Sequence, residues 1–155
     1  GEEDYIQSLK DLASSINVAD RILFHPAVPI EELWKYVGAA HVGVIVVPVI
    51  FKSHYFGLGN KFFENIQSLT PLICNNTPEM ANIIKKYDIG LTVDPPGDLD
   101  GLIAAMSIMQ TDPERYTQFK KNLTKAKQEL CWENESKILK EAYMQYVLGE
   151  ATQID

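Results

Sequence analysis

The chain has 155 residues, 46% of them hydrophobic, and a formal net charge of −7 at pH 7. That length suits one domain with a real core and argues against wholesale disorder. The acidic balance argues against nucleic acid or an anionic membrane as the main partner, and no apolar run reaches the ~18 residues of a spanning helix.

Ile6, Leu9, Ala13 and Ile16 recur at helical spacing, which predicts a helix from about Glu3 to Ile16. "RILF" (21–24) is expected as a short buried strand ending before Pro26. "PIEELWKYV" opens with Pro29 and an acidic pair, the composition of a helix start. "VGVIVVPV" (42–49) is apolar on both faces and β-branched, as a central parallel strand requires. A helix follows from about Asn60 to Leu69, then a short strand "PLIC" (71–74). "PEMANIIKKY" is a helix with Thr77 as N-cap and Pro78 at its first position, and "IGLTV" (89–93) is a fourth strand. This alternation predicts a Rossmann-like parallel α/β sheet.

After Val93 the pattern changes. "DPPGD" is a turn-rich break, and three amphipathic helices follow, the last in "WENESKILKEAYMQYV". The polar end "GEATQID" is expected to fray. Cys74 and Cys131 are expected as free thiols of a reducing compartment, and the sequons at Asn75, Asn122 and Asn134 as chance. His25, His41 and His54 lack metal-ligand spacing, so no metal is expected. His25 and His41 are expected to be structural residues at strand ends.

The stretch "YFGLGNKFFE" (55–64) carries the chemistry. It leaves the carboxyl end of the strongest strand, where open parallel sheets bind ligands. Gly57 and Gly59, with Leu58 between them, allow backbone angles and ligand approach closed to other residues. A helix start near Asn60 offers unpaired amides and a positive dipole end to an anion. Lys61 adds charge in the first turn, where the dipole disfavours it without an anion nearby, and Lys52 and His54 lie in the same loop. Glu64, one turn on, suits a diol beside a bound phosphate. Spacing alone leaves a second reading open: a tight turn, a solvated lysine and a Lys61–Glu64 pair.

The order "NVADRILFHPAVPIEELWKYVGAAHVGVIVVP" then "GLGNKFFENIQSLTPLICNNTPEMANIIKKYDIGLTVDP" resembles the C-terminal domain of the retaining, group-one GT-B glycosyltransferases. "NKFFE" is its most specific part, similar to a P-[NS]-K-L-F-E-Y donor-site variant, and "CWENESKILKEAY" resembles the family's closing helix. The resemblance implies a nucleotide-sugar donor, UDP-linked, and transfer to a glycan or lipid-linked acceptor by a hexosyltransferase of polysaccharide biosynthesis. It implies that Glu64 holds the ribose hydroxyls, that Gly59, Asn60 and Lys61 meet the diphosphate, and that Pro26, Ala27 and Val28 read the base edge. Lys61 then carries catalysis by neutralising the leaving diphosphate, with no cofactor.

Three departures stand out. Phe56 occupies the position of the first glutamate of the family's E-x7-E motif, within the donor-site stretch. Leu69 stands where glycine is common, and His41 replaces a frequent aspartate. The resemblance also implies that residues 1–155 are a truncated half of a GT-B enzyme, without its first strands and N-terminal acceptor domain, inactive alone, and prone to self-association through an uncovered last helix. Its expected location is the cytoplasm, peripheral to the inner membrane face. Two alternatives remain at this point: a nucleotide-sugar epimerase of related fold, and a non-catalytic α/β interaction module.

Overall fold

A computed structural model describes residues 2–94 and 98–147, so the centre of the expected "DPPGD" turn and the polar end from Gly149 lie outside the described residues. In chain order the elements are α1 (Glu2–Ser15), α2 (Ile30–Ala39), β1 (Gly43–Ile45), α3 (Lys52–Phe56), α4 (Asn60–Gln67) and β2 (Leu72–Asn75). Then come α5 (Pro78–Tyr87), β3 (Gly90–Val93), α6 (Leu99–Thr111), α7 (Pro113–Glu129) and α8 (Trp132–Tyr146). The strands form one parallel sheet in the order β1-β2-β3, flanked by helices, which is the expected α/β class.

The pleat of β2 explains the two-sided core. Alternate side chains point to opposite faces of a strand. Leu72 and Cys74 join a cluster with Phe62, Ile66, Ile84, Ile89 and Leu123, while Ile73 joins Val93, Ala105, Met109 and Phe119 on the other. Helix α7 serves both clusters, through Phe119 in one and Leu123 and Ala126, one and two turns on, in the other.

Helix α4, which opens the candidate site, is fixed along its length. Gly43 lets it press on β1: a Cβ there would sit 2.0 Å from Asn65 Oδ1. Thr70 Oγ1, just beyond α4, donates to the Val37 carbonyl of α2 at 2.8 Å. Gln67 Nε2 donates to the Leu130 carbonyl at 2.8 Å, and Lys120 Nζ donates to the Leu69 carbonyl at 2.6 Å. Leu69 has φ 57°, the left-handed conformation that favours glycine and explains why glycine suits this position.

The expected strand "RILF" does not form. A short 3-10 turn covers Ala19–Arg21, and no regular structure follows before α2. Leu23 is 84% exposed, and Ile22 and Phe24 also face solvent. A strand needs a neighbour for its backbone groups, and these residues pair with no strand of the sheet. His25 therefore sits beside no strand; its ring packs on Tyr36 at 4.7 Å. The central strand expected over 42–49 is shorter and lies at an edge. Only Gly43–Ile45 pairs, and Val44 is 44% exposed.

His41 is structural: its Nε2 donates to the Met109 carbonyl at 2.9 Å, and its ring stacks on Tyr116 at 4.0 Å. The asparagines of the three sequons all use their amide nitrogens internally, on the carbonyls of Val47, Asp88 and Gln128. The expected uncovered face of the last helix is present: α8 has no buried residue, and Leu139, Tyr143 and Tyr146 are exposed. Among the described residues no helix is long and apolar enough to cross a membrane.

Cys74 and Cys131 are both free. Burial pushes the Cys74 thiol up from 9.0 to about 12. Between those values the unfolded chain ionises this thiol and the folded chain does not. Stability from this group is therefore full below pH 9 and falls above it, by about 1.4 kcal/mol per pH unit. Denaturant titrations from pH 8 to 10 should show that slope, and Cys74→Val should flatten it. In the native protein a thiol reagent should label Cys131 and spare Cys74.

Candidate functional site

Helix α4 begins directly beyond the carboxyl end of β1, across the segment 46–59. That segment is more ordered than a loop. It contains the one-turn helix α3, which the sequence pattern concealed, because its turn is short and rich in aromatics. A cleft of about 540 Å³ lies here, bordered by Ile45, Val47, Ser53, His54, Gly57, Leu58, Gly59, Asn60, Lys61 and Met80.

Asn75 stands behind this cleft and holds Val47, which borders it. Asn75 is buried, and its side chain continues the sheet where β1 stops: Oδ1 accepts from the Val47 amide at 3.0 Å, and Nδ2 donates to the Val47 carbonyl at 2.7 Å. One side chain thus replaces the next backbone rung of a parallel ladder. The next carbonyl, that of Pro48, accepts from His54 Nδ1 at 3.1 Å. Sequence reasoning missed Asn75; its only sequence signal is a polar residue closing an apolar strand.

The glycines act by size, not by unusual angles. Gly57 has φ −84° and Gly59 φ −79°, both open to any residue. A Cβ on Gly57 would lie 2.3 Å from the Ser53 carbonyl, so Gly57 permits the turn out of α3. A Cβ on Gly59 would meet nothing within 4 Å, so that position faces open space. Gly59 caps α4 without a side-chain bond, and α4 has no acidic residue in its first turn. The dipole end is therefore uncompensated and faces a cleft that holds a lysine.

Glu64 lies elsewhere. It borders a separate groove of about 400 Å³ between α2 and α4, lined also by Ile30, Leu33, Trp34, Phe63 and Asn60. Asn60 borders both spaces, so cleft and groove meet at the first residue of α4. No ion pair joins Lys61 to Glu64 among the described residues. Lys52, at the start of α3, does not border the cleft, so His54 and Lys61 are the basic side chains that do. Phe56 is 59% exposed and also stays outside it. Ala27 is exposed and Val28 half-buried, in the segment entering α2 two or three residues before Ile30 of the groove.

Residues 1–126 match the family described as glycosyl transferases group 1. The chain belongs to that family. This group 1 chain is also 25% identical over its full length to alpha-monoglucosyldiacylglycerol synthase of Streptococcus pneumoniae, of which it covers 33%. It resembles the solved structure of sucrose-phosphate synthase from Thermosynechococcus elongatus with a TM-score of 0.75 and 26% identity, covering 93% of this chain and 35% of that one. The group 1 chain thus spans about a third of the length of these relatives.

Asn75 supports this site through the backbone of Val47. Asn75→Ala should lower stability by about 1–3 kcal/mol, the range for a buried polar network losing a partner. Hydrogen exchange should show faster exchange of the Val47 amide, with β3 amides little changed.

Proposed function

We propose that this chain is the nucleotide-sugar-binding domain of a retaining GT-B glycosyltransferase, and that the donor is UDP-linked. The observation that carries the proposal is the start of α4. Uncapped amides, Lys61 and an absence of acidic neighbours converge on one cleft of an otherwise acidic protein. In this reading the diphosphate lies against Gly59, Asn60 and Lys61. The nucleoside extends past Asn60 into the groove of Glu64, whose carboxylate accepts from the ribose hydroxyls. Ala27 and Val28, before α2, meet the base.

Transfer breaks the bond between the sugar's anomeric carbon and the β-phosphate oxygen. The electron pair leaves with the diphosphate, the acceptor hydroxyl's oxygen bonds the carbon on the same face, and its proton passes to the departing diphosphate. Lys61 and the α4 amides stabilise the charge that develops on the leaving oxygen. The acceptor side belongs to a further domain, in keeping with the greater length of both relatives. The relative named as a synthase of a glucosyldiacylglycerol supports a lipid-linked acceptor. The 155-residue chain should bind donor yet transfer no sugar; turnover with donor and acceptor would overturn this division of labour.

Calorimetry with UDP and with inorganic diphosphate tests the site. Glu64→Gln should weaken UDP by about 1–3 kcal/mol, the scale of a hydrogen bond to a charged group, and leave diphosphate unchanged. Lys61→Ala should weaken both, with a loss that shrinks as salt rises. Melting temperatures should not move, because neither side chain is paired or in the core. UDP binding equal to the parent in both variants would overturn the proposal.

A further inference from the structure

Within this donor-site reading, one cleft residue has, in its neutral form, chemistry that a diphosphate cannot use. His54 borders the same cleft as Lys61. Its Nδ1 lies 3.1 Å from the Pro48 carbonyl, and a carbonyl only accepts, so Nδ1 carries the proton. In the neutral ring the remaining nitrogen, Nε2, is then an acceptor, and it has no partner among the described residues. An ionised diphosphate also offers only acceptors, so the two cannot bond. The lysine and the amides of α4 can supply what the diphosphate needs; a neutral imidazole cannot.

A sugar hydroxyl supplies the missing donor. In a nucleotide sugar the hexose is bonded to the β-phosphate, so it must occupy space next to whatever holds that phosphate. His54 is the neighbouring polar ring of the same cleft, and it is held in place. Phe51 packs edge-on against it at 5.4 Å, and its anchor carbonyl on Pro48 adjoins Val47, which Asn75 fixes to the sheet. Phe56, at the position of the family motif's first glutamate, is turned to solvent. We propose that His54 Nε2 accepts a hydrogen bond from a hydroxyl of the donor's sugar and is a specificity-determining residue of this transferase.

The test compares UDP with UDP-glucose, UDP-galactose and UDP-N-acetylglucosamine by calorimetry at pH 8, on the parent chain, His54→Phe and His54→Gln. The quantity read is the Kd of UDP divided by that of the best UDP-hexose. It should fall about fivefold in His54→Phe, the worth of one ordinary hydrogen bond. UDP itself should bind unchanged. His54→Gln, which keeps an acceptor oxygen, should recover most of the ratio. A ratio unchanged in His54→Phe would overturn the role of His54 and leave the donor cleft standing. Equal weakening of UDP and UDP-hexose would assign His54 to the phosphate and overturn the inference. A parent chain that binds no UDP would overturn the donor cleft itself, and this inference with it.

Discussion

The rest of the molecule depends on the complete burial of β2. Each of its residues is buried, and it is paired on both edges, to β1 and to β3. A parallel strand in that position has no access to water for its backbone, so both neighbours and both helix layers must be present at once. Its end also adjoins the candidate site. Asn75, the last residue of β2, fixes Val47, and the carbonyl after Val47 fixes His54. The sheet thus reaches the cleft through side-chain amide chemistry at the point where backbone pairing stops.

This arrangement divides labour around α4. Its buried side, Phe62, Asn65 and Ile66, locks the helix to the sheet, while its first turn stays free of both caps and carboxylates. A helix start left in that state costs stability unless something anionic arrives. The strain at Leu69 belongs to the same local design. A left-handed residue ends α4 abruptly, so that Thr70 and Pro71 can turn at once into β2.

Much of the fold was legible in the sequence, for identifiable reasons. The helices α4 and α5 and the strands β2 and β3 declare themselves by period, by Pro78 and by β-branched runs between polar turns. "RILF" misled because its composition is that of a strand, and composition cannot report whether a neighbouring strand is present. "VGVIVVPV" misled in length: pairing ends at Ile45, and the rest is held by a side chain that no periodicity encodes. At the site, the segment 57–61 could be foreseen, because glycines, a lysine and a helix start are local signals. The separation of Glu64 from Lys61 into two adjoining spaces could not, because it depends on where α2 docks. Nor could the posture of His54, which depends on a carbonyl six residues earlier.

The brevity of β1 has a consequence for how this chain behaves among its own copies. An open sheet edge invites strands from other molecules, and here that edge adjoins exposed apolar residues such as Val44 and Val47. Yet β1 spans only Gly43–Ile45, about 10 Å of ladder at the usual rise per residue. Pro48, a little further on, has no amide hydrogen to offer. The border is sticky in its side chains but nearly mute in its backbone. Contacts made there are of the apolar kind that detergents dissolve, rather than the hydrogen-bonded growth of a fibre.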